Sequence, residues 1–153
     1  MKKLTIIGFL SVSALGTLFH FMYEWLPIFI FPINESIFEH MKLVLFPFLL
    51  FIAATLPFYK EDKGVLFSSS VTAIFVSMAC IVVSYYVYSG FLGFNVDAVN
   101  IILYYVGILV GFYFIYKKKT LISVSNSVIF LLIALILVVV FSFYPPDLGF
   151  FRV

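Results

Sequence analysis

Apolar residues fill the chain in five long blocks, at about 4–25, 35–59, 65–88, 98–116 and 121–144, and polar residues are concentrated in the breaks between them. The breaks run from Pro27 to Pro32, through Lys60-Glu61-Asp62-Lys63-Gly64, from Ser89-Gly90 to Asp97, and through Lys117-Lys118-Lys119. A helix rising 1.5 Å per residue needs roughly 20 apolar residues to cross a hydrocarbon layer about 30 Å thick, and each block meets that length. The pattern predicts an all-α fold, a polytopic transmembrane bundle of about five spans. No break is long enough to hold a second domain, so residues 1–153 are expected to form one membrane domain. Met1-Lys2-Lys3 and the apolar run after it, with Ser11, Ser13 and Ala14, look like a secretory signal. Because apolar character continues through Phe19, Phe21 and Trp25, an uncleaved first helix is expected instead.

Finer spacing predicts how the spans pack. Lipid-embedded helices approach closely where side chains are small. Gly107 and Gly111 form such a pair in the fourth block, and Ser69, Ala73, Ser77, Cys80 and Ser84 follow helical spacing in the third. The block at 121–144 is almost wholly aliphatic and aromatic, which suits a helix facing lipid. Pro47 is expected to kink the second span, since it removes a backbone donor and crowds the preceding turn.

Composition agrees: 65% of residues are hydrophobic and 10% charged, against roughly a quarter charged in soluble domains. If the spans alternate, Lys2, Lys3, Lys60, Lys63, Lys117, Lys118 and Lys119 fall on one side, seven of the nine basic residues. Basic loops are retained in the cytoplasm, so the N-terminus is expected inside and the C-terminus outside. The lysines cap apolar segments and form no basic-aromatic patch, which argues against nucleic acid. A lone cysteine, Cys80, allows no intramolecular disulfide.

One region breaks the apolar rule. Between His20 and Lys42 lie both histidines together with Tyr23, Glu24, Trp25, Asn34, Glu35, Ser36 and Glu39. At 1.5 Å per residue, His20 stands about 25 Å along the first helix from Lys3 and His40 about 30 Å back from Lys60, so the two share one depth near the outer interface. Capping accounts for part of the cluster: Asn34 is a good N-cap before Glu35, and Ser36 with Glu39 equally fits a capping box. Glu39 and Lys42 can pair at i,i+3, and Tyr23 and Trp25 suit an interfacial aromatic belt.

The density of ionisable groups exceeds what capping needs, because each charge at membrane depth costs about 2.5–3.5 kcal/mol on insertion scales unless paired or hydrated. Imidazole and carboxylate together suit zinc or another divalent metal. His20, Glu24, Glu39 and His40 are the candidate ligands, with Glu35 as an alternative to Glu39. Glu24, Glu35, Glu39 and His40 are candidate catalytic groups, and His20, Tyr23, Asn34, Ser36 and Lys42 candidate binding groups. A desolvated glutamate exchanging protons with histidine would serve a relay equally well.

His20-Phe21-Met22-Tyr23-Glu24-Trp25, then Pro32-Ile33-Asn34-Glu35-Ser36-Ile37-Phe38-Glu39-His40-Met41-Lys42 and Pro47, resemble the signature of an uncharacterised family of small bacterial multi-pass membrane proteins, domain-of-unknown-function family 6512. The resemblance covers most of the chain, including Pro145-Pro146. Phe38 stands where the family pattern has Trp, and the tail after the proline pair is shorter. The resemblance implies bacterial origin, a place in the cell membrane and the five-helix layout, and carries no activity with it.

Three functions remain open from sequence. One is a metal-assisted enzyme, or a headgroup-binding protein, acting on lipid or envelope precursors at the outer face. Another is an accessory or immunity-type protein binding a second membrane protein, and the last is a small-solute or proton-coupled carrier. The carrier is disfavoured because the third to fifth spans offer little beyond Ser, Thr and Tyr near the midplane.

Overall fold

The computed structural model describes residues 1–22 and 29–151. Five helices form in chain order, α1 (Lys2–Phe21), α2 (Ile37–Thr55), α3 (Lys63–Leu92), α4 (Asp97–Tyr116) and α5 (Val124–Phe143), followed by a short 3-10 turn, η1 (Gly149–Phe151). All five are long and apolar enough to cross a membrane. Among the described residues there is no strand.

The helix ends follow local chemistry and correct several expected bounds. α2 begins at Ile37 because Ser36, in extended conformation, caps it, its side chain accepting the Glu39 N–H. Asn34 is therefore not the N-cap; its Oδ1 accepts the Ser36 N–H at 2.9 Å and shapes the turn that delivers the cap. α3 runs past Gly90, since one glycine costs a helix only about 1 kcal/mol, and it stops at Gly93, whose φ of 77° lies in the left-handed region. α5 starts late, after its Ser123 cap. The residues before it are pinned sideways on α3, with Leu121 N–H donating to Thr72 Oγ1 at 3.2 Å and Ser68 Oγ donating to the Ile122 carbonyl at 3.3 Å.

α2 is the central element, with 56% of its spanning window buried, whereas α5 has 11% buried and packs mainly on α3. A single hydrophobic cluster draws on all five helices, through Val12, Phe48, Ile74, Phe112 and Val138 among others. Phe48 and Phe112 stack with centroids 5.0 Å apart. Gly107 and Gly111 lie against α3 as their spacing predicts: a Cβ on Gly107 would fall 3.1 Å from the Ser77 carbonyl oxygen, and one on Gly111 2.9 Å from that of Ala73. Ser69, Ala73 and Ser77 of the α3 stripe are buried, while Cys80 and Ser84 are only partly covered.

The tightest approach was not anticipated. Gly16 of α1 meets the Tyr104 hydroxyl, and a Cβ there would lie 2.5 Å from the Leu43 carbonyl oxygen. Pro47 lacks the N–H that would pair with that carbonyl. The Tyr104 hydroxyl instead lies 3.4 Å from the Leu43 oxygen and 3.5 Å from that of Ser13, so one side chain of α4 ties α1 and α2 together at the proline.

The two ends of the bundle differ. At the lysine end, Lys118 Nζ pairs with Glu61 Oε2 at 2.5 Å, and the Tyr59 hydroxyl donates to the same carboxylate at 3.2 Å. The hydrogen bond from Lys118 holds the Glu61 carboxyl below its ordinary range, and the same bond raises Lys118. At the other end the chain after α5 folds back, and Phe151 packs on Phe38 with centroids 4.7 Å apart, covering the start of α2.

Candidate functional site

The histidine end is organised by the turn that enters α2. Asn34 shapes it, Ser36 caps it, and Glu39 closes it: Glu39 Oε2 accepts the Ile33 N–H at 2.9 Å and stands 2.6 Å from Lys42 Nζ. Both members of this pair are buried, with side-chain exposures of 0% for Lys42 and 3% for Glu39. The Glu39 carboxylate does not reach back to the Ser36 N–H as a capping box would, because Asn34 already holds that donor. Glu39 thus works as an internal anchor, and Lys42 and Ser36 are part of the same framework.

The turn also fixes what faces the other way. His40 lies one helical turn past Ser36, and its Nδ1 is 2.9 Å from the Ser36 carbonyl oxygen. A carbonyl oxygen can only accept, so Nδ1 carries the proton. His40 Nε2 then points at Glu35 Oε2, 3.2 Å away. His20, from the last turn of α1, completes the group, its ring centroid 5.4 Å from that of His40. One ligand atom from each of His20, Glu35 and His40 can be chosen so that all lie within 4.8 Å of one another. With Nδ1 protonated, a neutral His40 would turn a lone pair toward a carboxylate oxygen, an arrangement that a proton or a metal cation between them makes favourable. A ring nitrogen donating to a backbone carbonyl is also the usual orienting contact of a metal-ligating histidine.

The structure therefore brings together His20, Glu35 and His40 from the candidate set. It engages Glu39 with Lys42 and the Ile33 backbone instead, because Glu35 precedes the helix and can turn outward while Glu39 faces the bundle. Asn34 and Ser36 serve the turn. Tyr23 and Glu24 lie outside the described residues.

Beside the histidines opens a cavity of about 650 Å³ between α1, α2, α3 and α4. His20, Glu35 and His40 line one wall, and Asn95, Asp97 and Asn100 line another. This second wall joins Asn95 of the α3–α4 connection to Asp97 and Asn100 in the first turn of α4. Its signal was the three polar residues within one turn of the α4 start. Tyr88 organises the wall: its hydroxyl bonds Asn100 Oδ1 and accepts the Val96 N–H at 3.2 Å. The Tyr104 knot and Thr17, whose hydroxyl lies 2.9 Å from that of Tyr105, stand at the level of Gly16 and join α1 to α4 there.

Five apolar helices around a shared core define a multi-pass membrane protein. A family model described as "Family of unknown function (DUF6512)" matches residues 1–153, so the chain belongs to that family. No curated protein and no solved structure matches it.

Proposed function

We propose that this is a metal-dependent membrane protein of the enzyme type, in which His20, Glu35 and His40 bind one divalent transition-metal ion, zinc foremost, at the mouth of a cavity for a polar headgroup. The observation that carries this is the polarity of His40: Nδ1 is committed to the Ser36 carbonyl, and Nε2 faces Glu35 Oε2 at 3.2 Å. Ligand atoms about 2.0–2.2 Å from a tetrahedral zinc stand about 3.4 Å from one another. The His40–Glu35 separation of 3.2 Å is near that value, and a His20 ring nitrogen lies within 4.8 Å of both partners.

Two histidines and one carboxylate leave a tetrahedral ion one position for water or substrate, the ligand count of catalytic rather than structural zinc. A metal there would polarise a phosphoryl or carbonyl oxygen of the substrate. The adjoining cavity, about 650 Å³, is of ligand size. The substrate class that fits is a lipid or an envelope precursor, since the site lies at the end of membrane-spanning helices. The excess of lysines at the opposite end supports a cytoplasmic N-terminus and an outward-facing site in a bacterial cell membrane. Reporter fusions after Lys119 and after residue 153 should then give opposite compartments, and matching signals would overturn that orientation.

Zinc titration of the metal-stripped protein in detergent tests the central part. One ion per chain is expected, with affinity reduced more than 10-fold in His20→Ala and in His40→Ala. Unchanged zinc stoichiometry and affinity in the double variant would overturn the metal reading.

A further inference from the structure

We propose that the cavity binds the zwitterionic head of a phospholipid carrying a primary ammonium, with the phosphate toward His20 and His40 and the ammonium toward Asp97. This rests on the metal reading above. The charges of the lining decide the class. Its described residues include no lysine or arginine; two carboxylates, Glu35 and Asp97, stand on different walls with the histidines beside the first. With a divalent ion held by His20, Glu35 and His40, that wall becomes cationic and the Asp97 wall stays anionic. A purely anionic head would meet the metal but be repelled by Asp97. A head with a phosphate at one end and an ammonium at the other satisfies both.

The far wall suits an ammonium with hydrogens to donate. Asp97 supplies a carboxylate, Asn95 a side-chain carbonyl, and Tyr85 an aromatic ring within the same lining. A quaternary ammonium could use the ring but could not donate to Asp97, so a primary amine is preferred. The tail has a path as well. Phe21 on α1 and Ile101 on α4 line the cavity and are 78% and 58% exposed, so its rim reaches the surface that acyl chains cover. Inward, Leu43, Ile81 and Leu103 supply apolar wall beneath the polar groups. The occupant is thus an amphiphile arriving from the bilayer between α1 and α4.

Native mass spectrometry of zinc-loaded protein equilibrated with equal amounts of phosphatidylethanolamine, phosphatidylcholine and phosphatidylglycerol tests this. The expected result is about tenfold preferential retention of phosphatidylethanolamine, the scale of one charge-assisted hydrogen bond. Asp97→Asn should remove the preference while leaving zinc stoichiometry intact, Asp97→Glu should keep it, and His40→Ala should lose both zinc and preference. Zinc bound without lipid preference, or a preference untouched in Asp97→Asn, would overturn the headgroup assignment and leave the metal site standing. Equal preference without zinc would overturn the metal–phosphate contact, and equal competition by soluble phosphoethanolamine would overturn the lipid source. Absence of zinc binding in the wild-type protein would remove both readings together.

Discussion

Glu35 and Glu39 stand four residues apart in the turn and first helical turn that open α2, and the fold gives them opposite surroundings. Glu39 is 3% exposed at its side chain, pairs with Lys42 at 2.6 Å and accepts a backbone N–H from Ile33. Glu35 is 56% exposed and faces His40 Nε2 across 3.2 Å. The difference arises from the Ser36 cap between them, which leaves Glu35 outside the helix and turns Glu39 into the bundle. Burial with partners from the fold marks Glu39 as a structural acid, whereas exposure beside two histidines leaves Glu35 accessible to a ligand.

Substitutions should separate the two. Lys42→Ala removes one member of a buried ion pair and should cost about 3–5 kcal/mol, because Glu39 loses that partner in the interior. Glu35→Ala should change stability by no more than about 0.5 kcal/mol while abolishing tight zinc binding. Thermal unfolding in detergent, paired with zinc titration, reads both. Equal destabilisation by the two variants would break the division of labour.

A smaller loss is expected where the histidine helix meets its neighbours. Gly16→Ala places a methyl group against the Tyr104 hydroxyl and the Leu43 carbonyl, and since the latter is backbone the helices must part, at about 1–3 kcal/mol. Gly107→Leu should also destabilise, because the first atom it adds already crowds Ile81 and the Ser77 carbonyl. If either were neutral in thermal unfolding, the close contact of α1 or of α4 would be wrong.

The smallest effect belongs to the third acid, Glu61, whose pair with Lys118 is exposed on both sides. Lys118→Ala should leave the unfolding midpoint unchanged near neutral pH within error. Whatever the pair contributes is present above the unfolded carboxylate range and is lost as pH falls through the lowered Glu61 value. A clear loss at neutral pH would show that exposed and buried pairs do not differ here as burial implies.

Five spans were legible because each needs only length and apolarity, and the Gly107/Gly111 contact because small-residue spacing has a direct packing meaning. Helix ends were less so: Asn34 and Ser36 are both good caps by type, and only the turn geometry chooses between them. Gly16 escaped notice because its partner, Tyr104, is far along the chain. The histidines were placed at one depth by counting residues, yet choosing Glu35 over Glu39 required knowing which side of the cap each occupied. The Asn95–Asp97–Asn100 wall was hidden because polar residues around the start of a span look the same whether they face water or a site.

The central claim is that His20, Glu35 and His40 hold one metal ion. X-ray absorption at the zinc edge, on protein loaded with one equivalent, tests it most directly. The expected spectrum has two imidazole shells at about 2.0–2.1 Å and one or two oxygens at about 2.0–2.2 Å, falling to a single imidazole in His20→Ala. A spectrum of hydrated zinc, or one unchanged in His20→Ala, would contradict it.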